Sequence, residues 1–130
     1  MKLLLDTHLL LWAAEGAEQL PERAHAQMAD TRNTLLFSVA SLWELQIKQA
    51  LGRPDFQVDV RRLRRGLLTN CYVELEIQAD HVMALAGLPA LHKDPFDRLL
   101  LAQAMAEGIT LLTADAQLAP YGDPVCWIAR

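Results

Sequence analysis

Four acidic side chains stand where phosphodiester chemistry would need them. Asp6 follows the apolar run Lys2-Leu3-Leu4-Leu5, and Asp115 comes two residues after Thr110-Leu111-Leu112-Thr113. Asp97 opens the leucine-rich segment that continues through Leu99-Leu100-Leu101-Ala102. In open α/β sheets, sites form outside the carboxyl ends of the strands, where these three acids would meet. Glu44 falls within the stripe Ala40, Trp43, Ile47, Leu51, whose spacing is that of a core-facing helix side. A carboxylate facing inward is unfavourable unless something pairs it. Four carboxylates converging on one cleft repel one another and raise their pKa values, and a divalent cation relieves that repulsion. Oxygen-only ligands suit Mg2+ or Mn2+, ions that also bind phosphates. One such ion, or two roughly 4 Å apart, activates a water and stabilises a leaving oxygen, which fits phosphodiester hydrolysis.

Each candidate also has a plainer reading. Asp6 can be a strand-end residue starting a turn, and Asp115 can cap a short turn to Leu118. Glu44 can pair with an arginine such as Arg98. In Asp94-Pro95-Phe96-Asp97, Asp94 reads as a helix cap, Pro95 suits the first turn, and Asp97 lies near the positive end of the helix dipole. His8 adjoins Asp6 but lacks the spaced histidine or cysteine partner that zinc would need, and His92 with Lys93 can reach a phosphate. His25 and His81 read as ordinary helix residues.

The elements that must position these residues alternate. Lys2–Asp6, Thr34–Phe37, Cys71–Leu75, Thr110–Thr113 and Val125–Trp127 read as short buried strands. Between them the pattern predicts helices over Leu9–Ala14, Pro21–Met28, a segment capped by Ser38 and running to Leu51, a segment capped by Asp59 and running to Leu68, Ala79–Ala86, and Pro95–Glu107. Gly52 and Pro54 would end the third of these, and Gly108 the last. Strands alternating with helices predict a three-layer α/β/α domain around a parallel sheet of four to five strands.

At 130 residues the chain is about one domain, read here as residues 1–130, and 52% hydrophobic content is enough to close a core. Twelve basic against sixteen acidic residues leave a net charge of −4, so nucleic acid is not held by bulk positive charge. Arg61, Arg62, Arg64 and Arg65 form the one basic cluster. With Val60, Leu63 and Leu67 as the apolar stripe, these arginines take the solvated side or meet an RNA backbone. Trp12 and Trp43 read as core or dimer interface. Cys71 and Cys126 are too few and too scattered for a disulfide framework, so a reducing, cytoplasmic setting is expected. Asp6 and His8 interrupt the apolar start, which falls short of the about 20 residues needed to span a bilayer.

Four segments carry a family likeness: LLLDTHLLLWA, SVASLWELQIK, HKDPFDRLLLAQA and LLTADAQL. In this order and at this length they resemble PIN-domain ribonucleases, above all the VapC-type toxins of bacterial toxin–antitoxin pairs. The resemblance runs from Lys2 to about Trp127. It implies that Asp6, Glu44, Asp97 and Asp115 bind Mg2+ or Mn2+ and cleave RNA to a 3′-hydroxyl and a 5′-phosphate. It implies that Thr113 supplies a hydroxyl beside the last acid. It also implies a homodimer held inactive by a small antitoxin whose tail fills the acidic cleft. The stretch from Gly52 to Asn70 matches no motif and can face substrate or partner.

Two other classes fit less well. A module that binds RNA or protein without cutting has no use for four intact acids. A phospho-accepting signalling domain needs paired acids at the first strand and a lysine after a late one, whereas Asp6 has no acidic neighbour and Thr113-Ala114-Asp115 follows the late strand.

Overall fold

Leu3, Leu4 and Leu5 are all fully buried, yet they point to two different cores. Alternation along a strand requires this when both faces of a sheet are covered. The computed structural model describes residues 1–52 and 57–130. In it, Lys2–Leu5 (β1) sends Leu4 into one core with Leu36, Leu100 and Leu111, while Leu3 and Leu5 enter the other with Leu9, Leu10, Phe37 and Leu112. The further strands are Thr34–Ser38 (β2), Val73–Leu75 (β3), Thr110–Thr113 (β4) and Val125–Trp127 (β5). They form one sheet in the order β3-β2-β1-β4-β5, and every pairing is parallel.

The helices are Thr7–Glu15 (α1), Glu22–Ala29 (α2), Val39–Ala50 (α3), Val60–Thr69 (α4), Ala79–Ala84 (α5) and Pro95–Glu107 (α6). Residues of α1, α2 and α4 pack on one face of the sheet, and those of α5 and α6 on the other. Helix α3 touches both layers: Ala40 joins the α6 core, while Leu45 packs with Leu11 and Val60. The three-layer α/β/α architecture with a five-stranded parallel sheet therefore agrees with the alternating pattern. From β1 the chain moves outward to β2 and β3, then crosses back to β4 and β5, so the order reverses between β1 and β4. That reversal opens a crevice at the carboxyl ends of the two strands.

Local signals set several boundaries. Helix α6 begins at Pro95 behind the Asp94 cap and stops at Gly108, whose φ of 67° is left-handed. Helix α4 starts at the Asp59 cap, as expected, and Cys71 at φ 67° turns the chain so that β3 begins at Val73 rather than at Cys71. Pro54, the expected stop after α3, lies outside the described residues.

Two expectations are corrected. Of the apolar stripe of α3 only Ala40 faces the core: Trp43, Ile47 and Leu51 are exposed, and Ser41, Glu44 and Leu45 are buried instead. Glu44 is inward as expected, but on a polar flank that packs against Thr7 and not within an apolar one. His81 is no ordinary helix residue either, since it is fully buried. Its Nδ1 accepts from the Gln78 N–H at 3.0 Å, so the proton is on Nε2, which donates to Glu107 at 2.9 Å. Gln103, also fully buried, donates to the Glu76 carbonyl and accepts from the Ser38 hydroxyl, which in turn caps α3. This chain of polar groups joins α5 and α6 to the start of the helix that carries Glu44.

Candidate active site

Asp6 is held by both ends of its carboxylate. Its backbone is extended at the start of α1, Oδ1 accepts from the Leu9 N–H at 2.8 Å, and Oδ2 accepts from the Thr113 hydroxyl. The residue is 3% exposed. Burial pushes its carboxyl above the usual carboxylate range, against the pull of the Thr113 and Leu9 hydrogen bonds and the His8 charge, and Asp115 adds to the rise. The Thr113 oxygen also accepts from the Asp115 N–H at 3.0 Å. One hydroxyl thus links the end of β1 to the end of β4.

Asp115 has the capping task that its plainer reading expects. Its Oδ1 caps the short 3-10 turn Ala116–Tyr121 by accepting from the Gln117 N–H at 2.9 Å, while Oδ2 faces the site. Asp94 has the structural task expected of it: Oδ1 accepts from the Phe96 and Asp97 N–H groups at 2.9 and 3.2 Å. This cap fixes the first turn of α6, from which Asp97 projects. Burial pushes the Asp97 carboxyl up to about 6, opposed by a hydrogen bond from His92 and reinforced by the charges of Asp94, Glu44 and Asp6. Asp97 therefore feels Glu44 and Asp6, and Asp6 feels Asp115.

Glu44 is 3% exposed and does not pair with Arg98. Its Oε1 accepts from the Thr7 hydroxyl at 2.8 Å, and Oε2 meets Lys48 Nζ at 2.8 Å one helical turn on. Of the acids, Glu44 and Asp6 are tied into the protein framework, and Asp97 and Asp115 are turned toward each other.

Between those two lies His92, whose place the sequence did not disclose. Its Nε2 is 2.8 Å from Asp97 Oδ2 and 3.5 Å from Asp115 Oδ2, and the side chain is 8% exposed. One donor atom each from His92, Asp97 and Asp115 lie within 4.8 Å of one another. Its neighbour Lys93 stays on the surface. His8 is exposed beside Trp12 and touches the acids only through its field on Asp6. Trp43 and Phe96, the neighbours of Glu44 and Asp97, meet edge to face with ring centres 5.0 Å apart. The basic cluster is solvated, with Arg64 engaged by Glu74 of β3 at 2.6 Å.

The donor set fits a divalent cation. Asp97, Asp115 and His92 bring one donor atom each to within 4.8 Å of one another, and neighbouring acids add to the rise of the Asp6 and Asp97 carboxyls, a repulsion that a cation relieves. No helix among the described residues is long and apolar enough to cross a membrane.

The fold recurs in solved structures. VapBC2 from Rickettsia felis, bound to a DNA fragment from its promoter, contains a chain 16% identical to this one with a TM-score of 0.69, over 99% of this chain and 98% of that one. VapBC-1 from nontypeable Haemophilus influenzae gives 18% identity and a TM-score of 0.66 over 99% and 98%. A toxin–antitoxin complex from Klebsiella pneumoniae gives 19% and 0.64 over 95% and 94%. No curated protein matches the sequence. The family model described as PIN domain matches residues 3–123. With all but a few residues at either end covered by that model, the chain belongs to the PIN domain family.

Proposed function

We propose that this protein is a divalent-metal-dependent endoribonuclease and the toxin of a toxin–antitoxin pair, with residues 1–130 acting as a single PIN domain. The observation that carries this reading is the meeting of Asp97 and Asp115 beside Asp6 at the strand-order reversal of a PIN chain. Asp6, Asp97 and Asp115, with Glu44 directly or through water, would hold Mg2+ or Mn2+. When bound, such an ion activates water and neutralises charge on the phosphate.

The remaining work falls to the chain itself. Asp94 aims Asp97 by fixing the first turn of α6, and Thr113 holds Asp6 and the Asp115 backbone in register. Thr7 and Lys48 hold the Glu44 carboxylate in a fixed orientation on a buried flank. The α3 stripe Trp43, Ile47 and Leu51 exposes apolar surface that suits the homodimer expected with this function. A small antitoxin that closes the acidic cleft completes the assembly, and the cytoplasm is where its RNA substrate is found. The solved neighbour from Klebsiella pneumoniae is itself a toxin–antitoxin complex, which supports this choice of partner.

The direct test is cleavage of total cellular RNA by purified, antitoxin-free protein. Cutting is expected with Mg2+ or Mn2+ and should stop in EDTA; folded protein that cuts nothing with either ion would return the chain to the non-cleaving RNA- or protein-binding class. A finer test is Thr113→Val, which removes the hydroxyl shared by Asp6 and Asp115 without touching an acid. Loss of a group that orients a ligand lowers activity by about 10- to 100-fold. Turnover of the variant should fall by that amount while its thermal unfolding stays cooperative, and an unchanged rate would remove Thr113 from the site.

A further inference from the structure

The acids account for an oxygen-only centre, but His92 is better placed than either Asp6 or Glu44 to meet Asp97 and Asp115. We infer that His92 is a direct ligand of the divalent ion through Nε2, making the centre a mixed nitrogen–oxygen set that favours Mn2+ over Mg2+. This deepens the proposed function and rests on it.

Spacing is the first argument. Nε2 lies 2.8 Å from Asp97 Oδ2 and 3.5 Å from Asp115 Oδ2. Neighbouring ligands about 2.1 Å from a common octahedral ion are about 3 Å apart, so these atoms already stand as adjacent corners of one coordination shell. Nε2 and Asp97 Oδ2 already share a hydrogen-bonding distance, and an ion held here would take the Nε2 lone pair in place of that contact.

Support for the histidine is the second. The His92 N–H donates to the Tyr121 hydroxyl at 3.1 Å, and that hydroxyl donates to the Pro89 carbonyl at 2.8 Å. Tyr121 ends the 3-10 turn that Asp115 begins, so a single short turn positions two of the three donors. Two residues after His92, Asp94 caps α6 and positions the third. A histidine that only filled space would not need its backbone clamped from 29 residues away. Donors fixed in this way lose little freedom when an ion binds.

Ligand chemistry then sets the preference. Magnesium favours oxygen and keeps its waters, whereas imidazole nitrogen is accepted more readily by transition ions. Zinc, which would draw on more nitrogen or sulfur, has one histidine here and no cysteine.

Pulsed EPR of the full chain loaded with Mn2+ tests the assignment without reference to turnover. Imidazole 14N modulation is expected in the wild type, should persist in His8→Ala, and should vanish in His92→Gln. By calorimetry, His92→Gln should lose roughly tenfold or more in Mn2+ affinity, while Mg2+ affinity changes by less than about twofold. Because the wild-type spectrum needs no substitution, misfolding of a variant cannot protect the inference. Mn2+ bound by the wild type without nitrogen modulation, or modulation that survives in His92→Gln, would overturn the ligand role and leave the nuclease reading standing. A wild-type protein that binds no Mn2+, or binds it as well after Asp97→Asn, would overturn both.

Discussion

Asp97→Asn protein is expected to lose RNA cleavage by about three orders of magnitude or more, whichever of Mg2+ and Mn2+ is supplied. Asparagine keeps the shape and one acceptor oxygen, so the His92 contact and the first turn of α6 can persist. What it removes is a full negative charge at the centre of the site, where Asp97 meets His92 and feels the fields of Glu44 and Asp6. The neutral amide is a weak ligand for a hard cation, and the remaining carboxylates must then hold the ion with one charge fewer. Single-turnover cleavage of a radiolabelled RNA, followed beside circular dichroism of the same preparation, separates this effect from unfolding. A folded Asp97→Asn protein that cuts within tenfold of wild type would mean that Asp97 is not at the reacting centre.

Where a chemical signal was local, the sequence disclosed it. Asp94, Pro95 and Gly108 bracket α6 within their own neighbourhood, and the helix has the expected bounds. The buried strands followed from unbroken apolar runs, and the acids at their ends followed from the topology those strands imply. The errors lie where tertiary packing overrides a pattern. On α3 the larger apolar residues Trp43 and Ile47 are exposed, because the helix turns Ser41 and Glu44 toward Thr7. Glu44 was thus placed inward for a reason that does not hold. His92 had no legible spacing at all: it sits in the loop before α6, and the contact that clamps it comes from Tyr121 across the chain. His81 escaped notice for the same kind of reason, since Gln103 and Glu107 reach it from a helix more than 20 residues later.

The same substitution that ends activity should make the metal-free protein more stable. Burial first, and then the Asp94, Glu44 and Asp6 charges, raise the folded-state carboxyl of Asp97 from 3.8 to about 6. A raised carboxyl means that the folded state binds the proton more tightly than the unfolded chain does. Its favourable contribution is complete below about pH 3.8 and is lost as pH rises through about 6. Near pH 7 the ionised group therefore opposes folding, by up to about 3 kcal/mol for this shift, and Asp97→Asn removes that opposition. Asp6, raised in the same direction, contributes to the same slope in the wild type. Half-buried Asp30 and Glu74, lowered by Arg32 and Arg64, work the other way but are common to both proteins and cancel in the comparison. Urea unfolding in EDTA should show Asp97→Asn more stable than wild type at pH 7.5, with the gap closing as pH falls from 6 toward 4. Adding Mn2+ should then stabilise the wild type and leave the variant nearly unmoved, because only a state that binds the ion gains from it. A variant less stable than wild type in EDTA at pH 7.5 would show that Asp97 is held as a paired structural carboxylate, with no charge waiting for a cation.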